Sequence, residues 1–132
     1  MHTVMEWLDT SGVFFLATAD GPQPKLRPIG AHMEKDGKVL FSIGSHKEVY
    51  KQLLGNPHCQ IAGMLDGGRW FRLTGRAVFE DGPAYAERFL EARPGLRKIY
   101  NPESGLTLAV FHLEEARALL YAMGDVVGET AF

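Results

Sequence analysis

The sequence has a single cysteine, Cys59, among 132 residues. An internal disulfide is therefore excluded, as is any zinc site built from several thiolates. An excess of either charge is missing too: 14 Lys and Arg stand against 16 Asp and Glu, a formal net charge of −2. Such a chain has no global basic field for nucleic acid or an anionic membrane surface. Any anion it binds has to be held by a local cluster. No apolar run approaches the ~20 residues that span a bilayer. The opening MHTVMEWLD lacks the basic and then apolar pattern of a signal peptide, so a cytoplasmic location is expected. Repeats and low-complexity tracts are absent. What is present, 45% hydrophobic and 23% charged residues, suits one globular domain over residues 1–132.

Glycine and proline divide the chain into short pieces. Thr3 with Glu6 reads as a capping box for a helix over Val4–Thr10, closed by Gly12. The run Val13–Ala19 reads as a buried strand. A second strand is expected over Lys25–Met33, despite Pro28 and Gly30, returning through an Asp36-Gly37 hairpin into Lys38–Ile43. Ser45 with Glu48 reads as a second capping box, for a helix over His46–Leu54 with Val49, Tyr50, Leu53 and Leu54 on one face. Further strands are expected at Cys59–Leu65, Trp70–Phe79 and Thr107–Leu113, and a helix from Pro83 to Ala92. A short helical turn is expected at Leu96–Tyr100. Glu114–Met123 has helical propensity, although a barrel requires a strand there. Six to seven short strands with small helices suggest a mainly β protein with a closed or nearly closed antiparallel barrel.

Lys25–Lys47 is the most informative segment for chemistry. His46 and Lys47 fall at the start of an expected helix, the wrong end for cations. Either Lys47 points into solvent at small cost, or an anion sits there and is bound by Lys47 with free backbone N–H groups. Pro28 and Gly30 suit a place where a flat ligand lies against backbone; they also suit an ordinary edge or bulge. If the Asp36-Gly37 hairpin aligns the two strands, Arg27 and Lys47 converge on one phosphate. Pro28, Ile29, Gly30, Ser42 and Ile43 then border a ring system.

The ordered motifs LATADG-P, RPIG, GSHKEVYKQL-NP and W-RLTGRA resemble those of the pyridoxamine 5′-phosphate oxidase-like flavoproteins. Among these, the small members related to nitroimidazole-resistance reductases are most similar. The resemblance covers nearly the whole chain and implies an antiparallel split β-barrel binding FMN at a homodimer interface. It implies flavin contacts from Arg27, Pro28, Ile29 and Gly30, then from Ser42, Ile43 and Gly44. Lys47 is implied at the phosphate with Ser45 and His46 nearby. Trp70 matches a position from which family members contact the flavin of the partner subunit, and Arg72 shares its strand face. The resemblance also makes Ala116–Met123 a strand. The basic C-terminal residues that hold the vitamin phosphate in full pyridoxamine phosphate oxidases have no counterpart in Gly128–Phe132, so that reaction is not expected. His46 replaces a frequent Arg or Lys, and a neutral imidazole brings no charge.

The five histidines show no metal-ligand spacing. His32 reads as a solvated strand residue or a polar ligand contact, and Cys59 as a half-buried packing residue. Arg72 and Arg76 read as partners for Glu80 and Asp81 or as ligand contacts. Trp7, Phe14, Phe15, Phe41, Phe71, Phe79, Phe89 and Phe111 read as core and dimer interface. No catalytic dyad is recognisable. The expected function is an FMN-dependent oxidoreductase passing electrons from NAD(P)H or another donor to a small acceptor. The alternatives are a non-catalytic flavin-binding or electron-carrier module and a barrel without flavin. Deazaflavin and haem remain open as cofactors.

Overall fold

A computed structural model describes residues 2–132. Three helices, α1 (His2–Ser11), α2 (Glu48–Gly55) and α3 (Ala84–Ala92), accompany eight strands. The strands are β1 (Phe14–Asp20), β2 (Gln23–Ile29), β3 (His32–Lys35), β4 (Lys38–Gly44), β5 (His58–Met64), β6 (Arg69–Phe79), β7 (Leu108–Ala122) and β8 (Asp125–Ala131). They pair in the order β2-β1-β5-β6-β7-β4-β3, with β8 added on β7. All pairs are antiparallel. The fold is a split β-barrel. β2 and β3 are consecutive in the chain yet stand at opposite ends of the pairing order, so the split lies where Gly30 and Ala31 carry the chain across.

This crossing corrects the expectation of one continuous strand over Lys25–Met33. Only β3 returns along β4, from His32 opposite Phe41 to Lys35 opposite Lys38. β2 pairs with β1 instead, with Pro28 opposite Phe15. Its other edge is free, which is where a strand tolerates Pro24 and Pro28, neither of which can donate to a ladder. The Asp36-Gly37 turn has positive φ at both residues, as a two-residue hairpin requires.

Alternation along β6 puts Phe71, Leu73 and Ala77 inside and Trp70, Arg72 and Arg76 half-buried on the other face. The interior also takes Phe14 and Leu16 of β1, Phe41 and Ile43 of β4, and Phe111 and Leu113 of β7. Phe41 stacks on Phe111 at 5.4 Å, and Phe14 meets Phe41 edge-on at 5.9 Å. α1 closes one end with Val4 and Leu8, both fully buried. α2 contributes Val49 and Leu53; Leu54, expected on the same face, is 60% exposed. A second cluster of Leu40, Phe89 and Val110 holds α3 against the outside of β4 and β7. Phe15, grouped with the other aromatics by sequence, is 47% exposed.

Three further expectations change. The expected strands Thr107–Leu113 and Ala116–Met123 are one 15-residue strand, β7. It is kinked by a bulge at Glu115, φ 52°, where the register with β6 shifts between Thr74 and Arg76. Gly75 makes room for this bulge: a Cβ there would stand 3.1 Å from Leu113 Cβ and 3.2 Å from Ala116 Cβ. The C-terminal segment beyond Met123, given no element by the sequence reading, is β8, paired from Ala122–Asp125 to Arg117–Ala131. Eight strands therefore replace six to seven. The helical turn is a 3₁₀ segment at Pro94–Lys98, earlier than Leu96–Tyr100. α1 is already helical at His2, so Thr3 lies inside it and not at its cap.

Candidate cofactor cleft

The barrel split opens into a cleft of about 190 Å³. Arg27, Pro28, Ile29 and Gly30 line it from the end of β2, and Ser42, Ile43 and Gly44 from the end of β4. Lys47 lies just before α2, while Tyr100 and Leu108 close the far side. Eight of the residues singled out by sequence thus border one cavity, although β2 and β4 are not hydrogen-bonded neighbours.

Two cations stand here without acids. Among the described residues, no ion pair involves Arg27 or Lys47. The Arg27 guanidinium is oriented by neutral acceptors only. Its Nη1 donates to Leu16 O at 3.0 Å and to Thr18 Oγ1 at 2.8 Å, and its Nη2 to Gln52 Oε1 at 2.6 Å. Burial lowers its pKa from the ordinary value, but a guanidinium keeps its charge in any protein environment. Five N–H groups are available to it, so donors remain beyond these bonds. Arg27 is therefore fixed by β1 and α2, and it borders the same cleft as Lys47.

α2 starts two residues later than its sequence signal. Lys47 is the N-cap, in extended conformation, and no side chain caps the helix. The expected Ser45–Glu48 box does not form. Ser45 Oγ instead meets Thr107 Oγ1 at 2.6 Å and Thr107 O at 3.0 Å, tying the β4–α2 turn to the start of β7. The helix start keeps uncapped N–H groups beside the Lys47 ammonium, the arrangement that favours an anion.

Gly44 is required by close packing. A Cβ there would lie 2.6 Å from Tyr100 Oη and 2.8 Å from His46 Cε1. His46 is exposed and tilts toward Tyr100 at 6.1 Å; neither it nor Ser45 is among the cleft-lining residues. Tyr100 and its neighbour Leu108 were not foreseen. Tyr100 is 8% exposed, and burial raises the pKa of its phenol. Its only sequence signal was an aromatic in an otherwise polar, irregular stretch.

Trp70 and Arg72 lie elsewhere. Trp70 stacks flat on Tyr121 at 4.1 Å and 9°, and the Arg72 guanidinium sits 5.1 Å from the Trp70 ring and 5.4 Å from the Tyr121 ring. This stack is on the outer sheet face. Arg72 therefore has aromatic partners, and Arg76 pairs with Glu114 and Glu115; neither meets Glu80 or Asp81 as expected. Glu80 instead faces Lys38 at 2.8 Å and His112 at 2.7 Å. His32 is not solvated: its side chain is 9% exposed, with Nε2 2.7 Å from Asp9 and Nδ1 3.2 Å from Gly30 O. Cys59 is buried in the core rather than half-buried, and that burial pushes its thiol pKa up to about 12.

The pyridoxamine 5′-phosphate oxidase family model matches residues 1–119. A NimC/NimA family protein from Clostridium acetobutylicum has 33% identity and a TM-score of 0.88, over 100% of this chain and 93% of that one. The chain thus belongs to the pyridoxamine 5′-phosphate oxidase family. Its fold is also similar to that of a FAD-binding protein from Mesorhizobium loti, at 13% identity and TM-score 0.62, over 89% of this chain and 91% of that one. A heme binding protein from Mycobacterium smegmatis gives 20% identity and TM-score 0.68, over 95% of this chain and 55% of that one. No curated protein matches the sequence. None of the described helices is long and apolar enough to cross a membrane.

Proposed function

We propose that the chain is an FMN-binding flavoprotein, active as a homodimer, that passes electrons from NAD(P)H or another donor to a small acceptor. The observation that carries this reading is the cleft at the barrel split, where two acid-free cations flank an uncapped helix start and a glycine-lined strand end. These groups fit a phosphorylated flavin. Lys47 and the first N–H groups of α2 suit the phosphate, with Arg27 adding positive potential. Pro28 to Gly30 and Ser42 to Gly44 offer backbone to a flat ring. A bound flavin supplies the hydride and electron chemistry itself; the chain orients it, balances its charge and excludes water. No acid–base dyad is needed, and none is recognisable in the sequence.

The cleft also supports the dimer. At about 190 Å³ it is smaller than the ~300–1,000 Å³ usual for cofactor sites, so a second chain is needed to complete it. The outer sheet face is the surface suited to that chain. Pairing registers place Pro28, Phe15, Ala62, Arg72 and Leu119 in one row across it. Beside that row run Met64, Trp70, Tyr121 and Val126. Leu26 is 68% exposed there, Met64 65% and Phe15 47%, a large apolar patch for a monomer to leave in water. A second copy on this face brings its Trp70–Arg72 stack toward the first copy's cleft.

The test is a visible spectrum of the purified chain after FMN is added and excess removed, followed by turnover with NAD(P)H. Flavin bands with more than stoichiometric NAD(P)H consumption support the oxidoreductase. Flavin bands without turnover with any donor leave a carrier or binding module. A spectrum without flavin bands overturns the reading, and a Soret band would point to haem, as in the mycobacterial neighbour.

A further inference from the structure

A larger cavity adjoins the cleft. It holds about 810 Å³, against 190 Å³ for the cleft, and the two share Tyr100 and Leu108 as a common wall. Ala86 and Leu90, one turn apart on α3, form one side, and Pro102 and Leu106 the other. The walls are braced by side chains. Asn101 Nδ2 donates to Arg97 O at 2.8 Å and Asn101 Oδ1 accepts from Ser104 N at 2.8 Å, while Ser104 Oγ donates to Ile99 O at 2.6 Å. Arg93 Nη2 donates to Gly30 O at 3.0 Å, fastening the end of α3 to the barrel split. The cavity is therefore a built feature of the 82–108 excursion.

Its chemistry narrows the occupant. The charged lining residues are Glu87 and Arg97, and they neutralise each other at 2.6 Å. Asn101 is spent on the loop, and Thr107 Oγ1 on Ser45. The Tyr100 hydroxyl lies over Gly44, on the cleft side of the shared wall, so the lining residues offer this cavity no free charge. An ionised ligand would lose hydration there with nothing to replace it. An uncharged ring would bury apolar area there at no such cost.

We propose that this cavity is a second binding site, for an uncharged, ring-sized apolar molecule. Its role as the acceptor site of the enzyme rests on the flavin reading above; its binding of such a molecule does not. The probe is prodan, an uncharged naphthalene ketone whose emission moves to the blue in apolar surroundings and to the red when its carbonyl accepts a hydrogen bond. The wild type is expected to bind it saturably, one per chain, and its anionic relative 1-anilinonaphthalene-8-sulfonate at least tenfold more weakly. Ala86→Phe, which puts a ring into the cavity from α3, is expected to weaken prodan at least tenfold while leaving the affinity for FMN unchanged. Lys47→Ala is expected to do the reverse. Leu106→Trp narrows the cavity from the opposite wall should Ala86→Phe fail to fold. Non-saturable binding overturns the proposal. So does equal affinity for the anionic dye, or undiminished prodan binding in the Ala86 and Leu106 variants, which would put the dye on the outer sheet face. Prodan binding without FMN binding leaves this site standing and removes the flavin reading.

Discussion

The cleft and the Trp70 stack are two regions assembled in opposite ways. In the cleft, residues from β2, β4 and the turn before α2 converge within one chain, and their cations lack acid partners. In the stack, Trp70, Arg72 and Tyr121 satisfy one another on an outer face. The first arrangement leaves two cations open to an anion. The second is a finished local structure whose charge is already matched by aromatic partners. The resemblance in sequence already assigned Trp70 to a flavin contact from the partner subunit; the fold sets its stack apart from the cleft.

The separation can be broken most severely through the patch joining the two regions. Phe15→Glu would place an unpaired carboxylate in the proposed interface, weakening the dimer on the order of a hundredfold or more. Sedimentation of the FMN-loaded protein reads it out, and a variant that stays dimeric moves the interface elsewhere. Next in size is Lys47→Ala, expected to cost FMN binding about 1–3 kcal/mol by fluorescence titration, the scale of a lost charge-assisted bond. Unchanged affinity removes Lys47 from the phosphate. Trp70→Ala is expected to cost about 0.5–1.5 kcal/mol in the dimer, the scale of one aromatic contact. In a Phe15→Glu monomer the same change should cost nothing, and a loss there would mean Trp70 acts within its own chain.

A last effect, on stability instead of binding, sharpens the contrast between the barrel interior and both surface regions. Burial pushes the Cys59 thiol up to about 12 from its ordinary 9.0. A group whose pKa is raised by folding stabilises fully below its unfolded value and loses that contribution as pH climbs toward the folded one. Stability of the wild type should fall between pH 9 and 12 more steeply than that of Cys59→Ala, measured by urea unfolding. The native thiol should resist alkylation at pH 8, because the thiolate is the nucleophile; rapid labelling of the folded protein would contradict its burial.

Much of the barrel was legible because local and global signals agree. The alternation of Phe71, Leu73 and Ala77 with polar neighbours matches a strand with one buried face. Asp36-Gly37 can take the positive φ that a tight hairpin needs. β8 was not legible: its residues are mostly exposed, so no hydrophobic period marks it, and its turn uses Met123 at φ 54°, a residue with no turn signature. The Ser45–Glu48 pattern misled because the hydroxyl found a better-placed partner in Thr107, 62 residues away. In the cleft, the ordered run from Arg27 to Lys47 was readable, but Tyr100 was not, since nothing local ties it to Gly44.

By itself, then, the sequence determined most of the strands and helices up to Leu113. It also determined that cations and small residues cluster between Arg27 and Lys47, since propensity, periodicity and turn chemistry act over a few residues. Tertiary structure decided that Glu114–Met123 belongs to a strand. Helix propensities differ by at most ~0.7 kcal/mol per ordinary residue, whereas β7 gains ladders on both sides and buries Ala116 and Ala118. It also decided that β2 and β3 part at Gly30, leaving a cleft between strands that are not neighbours. That outcome depends on β2 pairing with β1 and β3 with β4, a competition among distant ladders that no short stretch of residues encodes.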